Sequence, residues 1–328
     1  MTALVFVPYL AALVFIAAVV IRWVKIARLP VHLRWELYPV AHERNSAYGG
    51  SFFERLDWWK HHPPTNRMGE LKVMVPEMLL LTGVHEHDRA LWFRSYPFHL
   101  GLYLLAGLIG LLVVGAVAQI FGVRVEAGWL TTTSTVVGVA GLVLLAAGSL
   151  GLLLRRLASP ALRAHSAAAD FANLIFFFTA AVLGLVTFAT VDGDFANLRL
   201  FVRALVTFQP AGEMPALVAV EIVVASALAA YIPLTHMSHF FTKWFMYHDV
   251  RWNDEVNRVG SKLEAAIGRQ LGHKVSWSAP HIRGDGKKTW VDVATERVSD
   301  SGLRPVELDA GDGKNPPRVL SQKEIGKP

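Results

Sequence analysis

The stretch Tyr96-Pro97-Phe98-His99-Leu100-Gly101-Leu102 opens one long apolar run, and Tyr231-Ile232-Pro233-Leu234-Thr235-His236-Met237-Ser238-His239 closes another. A bilayer core of about 30 Å takes about 20 helical residues to cross. Five runs of that kind can be read, over roughly 3–23, 96–121, 130–154, 169–190 and 214–240. The chain is 53% hydrophobic with mean hydropathy +0.38, and its apolar residues are blocked rather than dispersed. The expected fold is an all-α membrane protein, a bundle of five transmembrane helices. The first run has no small-residue cleavage site after it and reads as an anchor rather than a cleaved leader.

Charge gives the orientation. Lys25, Arg28, Arg44, Arg55, Lys60, Lys72 and Arg94 lie between the first two runs, with Arg155, Arg156 and Arg163 after the third. The loops on the other side hold only Arg124, Arg199 and Arg203. The positive-inside rule then puts the N-terminus outside and the C-terminal extension in the cytoplasm, across a cytoplasmic (inner) membrane. The net charge of +6 is explained by this distribution, so nucleic acid is not expected as a partner. Cysteine is absent, which excludes disulfides, thiolate zinc sites, iron–sulfur clusters and covalently attached haem on this chain.

Between the runs, residues 24–95 form a long cytoplasmic loop. It carries the aromatic stretches Arg34-Trp35-Glu36-Leu37-Tyr38-Pro39-Val40 and Trp58-Trp59-Lys60-His61-His62. Within it, Leu71, Val75, Met78 and Leu79 are spaced for an amphipathic helix over 70–81, lying on the membrane or docking a partner. An outer amphipathic stretch is expected around 197–208. Residues 1–245 are expected to form the membrane domain and 246–328 a cytoplasmic partner-docking tail, with a helix expected over 252–272 and an extended arm from about Ser299.

His99 stands near the start of the second run and His239 near the end of the fifth. Antiparallel helices bring those ends to one level, where a buried imidazole costs several kcal/mol unless it is bound. Two such imidazoles can be satisfied together as axial ligands of one haem iron. Each taken alone also fits an interfacial histidine reaching to water. On a continuous helix, His236 and His239 point about 60° apart, so only one of them addresses a given iron. The other is left to bond a haem propionate or face a partner. His165 is a third histidine at the same level, and Arg155, Arg156 and Arg163 could pair with propionates. Glu221 lies eighteen residues before His239, five turns on a continuous helix and about 27 Å away on the same face. It reads either as a proton-handling group beside a quinone or as a neutral acid bonded between helices. Asp170 and Asn173 carry the same two readings.

These residues and the five runs resemble the gamma subunit family of respiratory nitrate reductase, in particular its relatives in heterodisulfide-reductase-like and sulfate-reducer-type membrane complexes. The pattern Pro233-Leu234-Thr235-x-x-x-His239 and the placement of His99 carry the resemblance, with weaker support from the tail between Val275 and Thr295. It implies a membrane cytochrome b with haem b on His99 and His239. It also implies electron transfer between the quinone pool and a cytoplasmic iron–sulfur partner, in a subunit that is no enzyme alone. The family's second haem would need histidines where this chain has Ile109 and Glu221, so one haem b is expected. The competing reading is a haem-free anchor or assembly subunit. A transporter is disfavoured, because no internal repeat is evident.

Overall fold

The computed structural model describes residues 2–30, 40–62, 66–123, 128–251, 257–279 and 282–296. The aromatic stretch from Arg34 to Pro39, Arg124, Val256, Pro280, His281 and the arm from Ser299 lie outside these residues. The chain divides into two compact units. One comprises Met1–Leu29 and Leu37–Asp254, the other Pro30–Glu36 and Glu255–Pro328.

In the first unit, α1 (Thr2–Ala27) is followed by short 3-10 turns and then by α2 (Arg67–Leu80) and α3 (Thr82–His87). The bundle continues with α4 (Arg89–Ile120), α5 (Trp129–Ala158), the short α6 (Pro160–Ala164) and α7 (Ala168–Thr190). It ends with α8 (Ala196–Val206), α9 (Ala216–Tyr231) and α10 (His239–Phe245). Among the described residues, five helices are long and apolar enough to cross a membrane: α1, α4, α5, α7 and α9 with its 3-10 extension. In the packing order α4, α5, α7, α9, α1, each touches the next, and α8 lies against α4 and α1. The amphipathic α8 buries Phe201 and Ala204 with Val5 of α1 and Val218 and Ile222 of α9.

Helix α4 begins seven residues before its apolar run, because the Asp88 carboxylate accepts the Leu91 N–H at 2.8 Å and caps it. Arg155, at the end of α5, donates to the same carboxylate at 2.7 Å. The contact between α4 and α5 depends on small residues, as is common where helices pack without a hydrophobic driving force. A Cβ added at Gly101 would stand 2.5 Å from the Leu145 nitrogen, and one at Gly148 would stand 2.4 Å from the Phe98 nitrogen. The two backbones therefore touch where His99 is carried.

The fifth run departs from the single helix expected over 214–240. Helix α9 stops at Tyr231, 3-10 turns follow over Ile232–Leu234 and His236–Ser238, and α10 restarts at His239. Proline 233 has no N–H to continue the ladder, and its ring crowds the carbonyl one turn back. Thr235 is extended (φ −104°, ψ −177°), and its side chain accepts the Met237 N–H. Arg22 of α1 donates to the Leu234 carbonyl at 2.6 Å and to the Ser238 hydroxyl at 2.8 Å, so a carbonyl released by the break is bonded again. The five-turn relation between Glu221 and His239 therefore does not hold.

Helix α2 forms where the apolar spacing places it. It ends at Leu81, a non-glycine residue in the left-handed region (φ 52°, ψ 48°) that turns the chain into α3. In the second unit, α11 (Lys262–Leu271) is shorter than expected. Gly260 has φ 76°, and the Ser261 side chain caps the helix by accepting the Glu264 N–H. A two-residue hairpin pairs β1 (Ser278–Ala279) with β2 (Ile282–Arg283), and α12 (Trp290–Thr295) follows. Among the described residues of this unit only Val275 is buried.

Candidate functional site

The break after α9 brings His239 opposite His99. Their ring centroids are 6.0 Å apart and the planes cross at 61°. The His99 Nδ1 lies 2.7 Å from the Ser95 carbonyl, which can only accept, so Nδ1 carries a proton and Nε2 is the nitrogen left to bind a ligand. His239 is likewise hydrogen-bonded to a backbone carbonyl, that of His236. The site therefore offers two imidazoles, each oriented by a main-chain carbonyl.

They line a cavity of about 450 Å³ whose other walls are largely apolar, including Phe15 of α1, Phe98 and Leu102 of α4, and Phe177 of α7. Phe98 and Phe177 meet edge to face at 5.0 Å. The α2–α3 elbow supplies another wall, through Met78, Leu79 and Leu81. Its position is fixed by the Tyr103 hydroxyl, which donates to the Met78 carbonyl at 2.6 Å, and by the Trp92 indole, which donates to the Leu80 carbonyl at 2.8 Å.

Metal–imidazole bonds of about 2.0–2.1 Å on either side of one ion, plus the radii of two rings, put the centroids roughly 6 Å apart. The observed spacing meets that requirement. Among the described residues no group of three or more His, Asp or Glu side chains could hold a bare ion. A haem asks only two ligands of the protein, and its macrocycle suits apolar walls. The donor set, the spacing and the cavity all fit that group.

The other residues singled out from the sequence are placed elsewhere. The His236 side chain is 60% exposed, with its Nε2 3.6 Å from Asp170 Oδ1. Asp170 also stands 3.8 Å from Arg156 and accepts the Ala167 N–H at 2.9 Å. His165 is exposed and bonded to the Ala161 carbonyl at 2.8 Å. Arg155 is engaged by Asp88, and neither it nor Arg163 lines the cavity. Glu221 is directed at α7, where a Cβ on Gly184 would meet its Oε1 at 3.2 Å. Ile109, at the other position the family's second haem would need, is 62% exposed. The Asn173 side chain is buried and accepts the Tyr231 hydroxyl at 2.6 Å.

Two charged lining residues were not anticipated. Lys243 of α10 and Glu77 of α2 border the cavity and bond to each other at 2.9 Å. Lys243 follows His239 by one helical turn, a spacing that could have marked it. Glu77 carries no comparable sequence signal. Burial opposes ionisation of Glu77. The Gly83 N–H, Lys243 and the Thr82 hydroxyl outweigh it and hold the carboxyl below its ordinary range.

Five membrane-capable helices among the described residues make this a multi-pass membrane protein. The nitrate reductase gamma subunit family matches residues 82–253, more than half of the chain, and the protein belongs to that family of membrane cytochrome b subunits of redox complexes. The match includes both histidines of the chamber, whereas the walls supplied by α1 and α2 precede it. No protein of curated function and no solved structure matches the chain.

Proposed function

We propose that the chain is the haem b-carrying membrane subunit of a respiratory redox complex. It would link the membrane quinone pool to a cytoplasmic iron–sulfur partner of the heterodisulfide-reductase-like type. The observation that carries this reading is the pair of facing imidazoles 6.0 Å apart across an apolar cavity. A b-type haem, when bound, supplies a one-electron carrier inside the bilayer. The chain's own contribution is to bind and orient. His99 and His239 would hold the iron, the Ser95 and His236 carbonyls would fix their tautomers, and the phenylalanine walls would exclude water.

One haem per chain follows from the positions of Ile109 and Glu221, which supply no second imidazole pair. Glu221, beside Thr187, is proposed to handle protons for quinone chemistry. The Asp170–His236 pair is proposed for the same task at the opposite end of the bundle. The proposed topology has the N-terminus outside and the second unit in the cytoplasm. That unit, with Val275 as its one buried residue among those described, would order on a partner rather than around a core of its own.

The test is the reduced-minus-oxidised spectrum of the purified protein, wild type against His99→Ala and His239→Ala. A low-spin b-type spectrum in wild type that vanishes in both variants supports the assignment. Wild type without a Soret band would leave a haem-free anchor subunit.

A further inference from the structure

Glu77 and Lys243 are the two charged side chains among the apolar residues and the two imidazoles that line the cavity. A charge placed against such walls is costly unless it is matched, and this pair is largely withdrawn from solvent, at 25% exposure for Lys243 and 21% for Glu77. Glu77 is itself fixed. Its Oε2 accepts the Thr82 hydroxyl at 2.8 Å and the Gly83 N–H at 2.7 Å, across the left-handed turn at Leu81. Its Oε1 accepts Lys243 Nζ. An ammonium carries three N–H donors, and this bond uses one.

We propose that Lys243 anchors the anionic edge of the cofactor, its ammonium binding a carboxylate of the tetrapyrrole, and that Glu77 is the positioning residue that holds it at the chamber. This rests on the haem reading above and adds to it the residue that recognises the acid side chains. Without Glu77, a lysine on a short terminal helix would extend toward water. The geometry selects Lys243 over the nearby arginines, since Arg155 is engaged by Asp88 at the N-terminal cap of α4 and neither Arg155 nor Arg163 lines the cavity. The α2–α3 elbow thereby gains a purpose beyond covering the chamber: it carries the carboxylate that sets the lysine.

Lys243 supplies the charge and Glu77 holds it in place, so the two lesions differ in kind. A cation beside the iron favours the reduced, less positive state and an anion disfavours it, so local charge sets the potential. Lys243→Gln should lower the midpoint potential, whereas Glu77→Gln removes an anion and releases the lysine together, so it should move the potential less while weakening the preference for the acid. Full-length protein produced without haem and titrated with haem b and with its dimethyl ester isolates the contact. Wild type should prefer the diacid by on the order of tenfold, the value of a partly buried charge-assisted bond. Lys243→Gln should lose that preference while binding the ester as wild type does, which reports an intact fold, and Lys243→Arg should retain it. Equal binding of acid and ester by wild type overturns the inference, as does an unchanged preference or an unchanged midpoint potential in Lys243→Gln. Wild type that binds neither form overturns the haem reading and this inference with it.

Discussion

Replacing Gly148 by alanine tests how the α4–α5 contact sets the site. The added Cβ would stand 2.4 Å from the Phe98 nitrogen, 2.6 Å from its Cα and 2.7 Å from its Cβ, where ordinary contact begins at 3.4 Å. Two of these three atoms are main chain and the third is fixed to it, so no rotamer change relieves the clash. Helix α4 must retreat by about 1 Å at Phe98, and His99 is the next residue. Overpacking of this kind costs about 1–3 kcal/mol, offset by the roughly 1 kcal/mol that alanine gains over glycine in a helix. The fold should lose about 2 kcal/mol at most, but the site should lose more. A metal site tolerates about 0.5 Å of displacement in its ligands, and the required retreat is twice that. The assay is haem per chain by pyridine haemochrome, with thermal unfolding of the same samples in detergent. Gly110→Ala, on the same helix with nothing within 4 Å of the added carbon, is the control and should keep its haem. If Gly148→Ala retains haem and melts as the Gly110 variant does, the argument that glycine contact positions His99 is wrong.

Pyridine haemochrome on wild type should return one haem per chain; two would redirect attention to His165 and His236. The Glu77 latch should depend on pH in one direction. Its folded-state pKa lies below the ordinary 4.5, so its contribution is fully present above that pH and is lost as pH falls through the lower folded value. The melting difference between wild type and Glu77→Gln should therefore be constant near neutrality and shrink on acidification below about 4.5; a difference that narrows with rising pH would contradict the sign. Truncation after Asp254 should leave the haem spectrum intact and strip the proposed iron–sulfur partner from the purified complex. The cut belongs there rather than at Tyr247, whose ring is 2% exposed in a cluster with Val40 and Met74 of the membrane unit. Retention of the partner at full yield would assign the second unit another purpose.

The five spans were legible in the sequence because the bilayer imposes a local rule: each segment must satisfy its own backbone and be apolar over its own length. That same rule makes His99, His239 and Glu221 stand out against their neighbours. The sequence also contained Pro233, yet residues 232–240 are apolar enough that hydropathy ran past the break. Where the chain restarts, and hence that His239 rather than His236 faces His99, follows from how Thr235 and Arg22 receive the interrupted backbone. Spacing along a helix says which residues share a face but not what that face meets. Lys243 finds Glu77 from 166 positions away, and Arg155 finds Asp88 from 67, so a residue suited to a propionate is engaged at a helix cap instead. The sequence by itself determined the spans and the histidines, through length, apolarity and the cost of a buried imidazole. Tertiary structure alone decided which charges reach the chamber, because that depends on helix packing distances set by glycines and on one helix break, neither of which periodicity encodes.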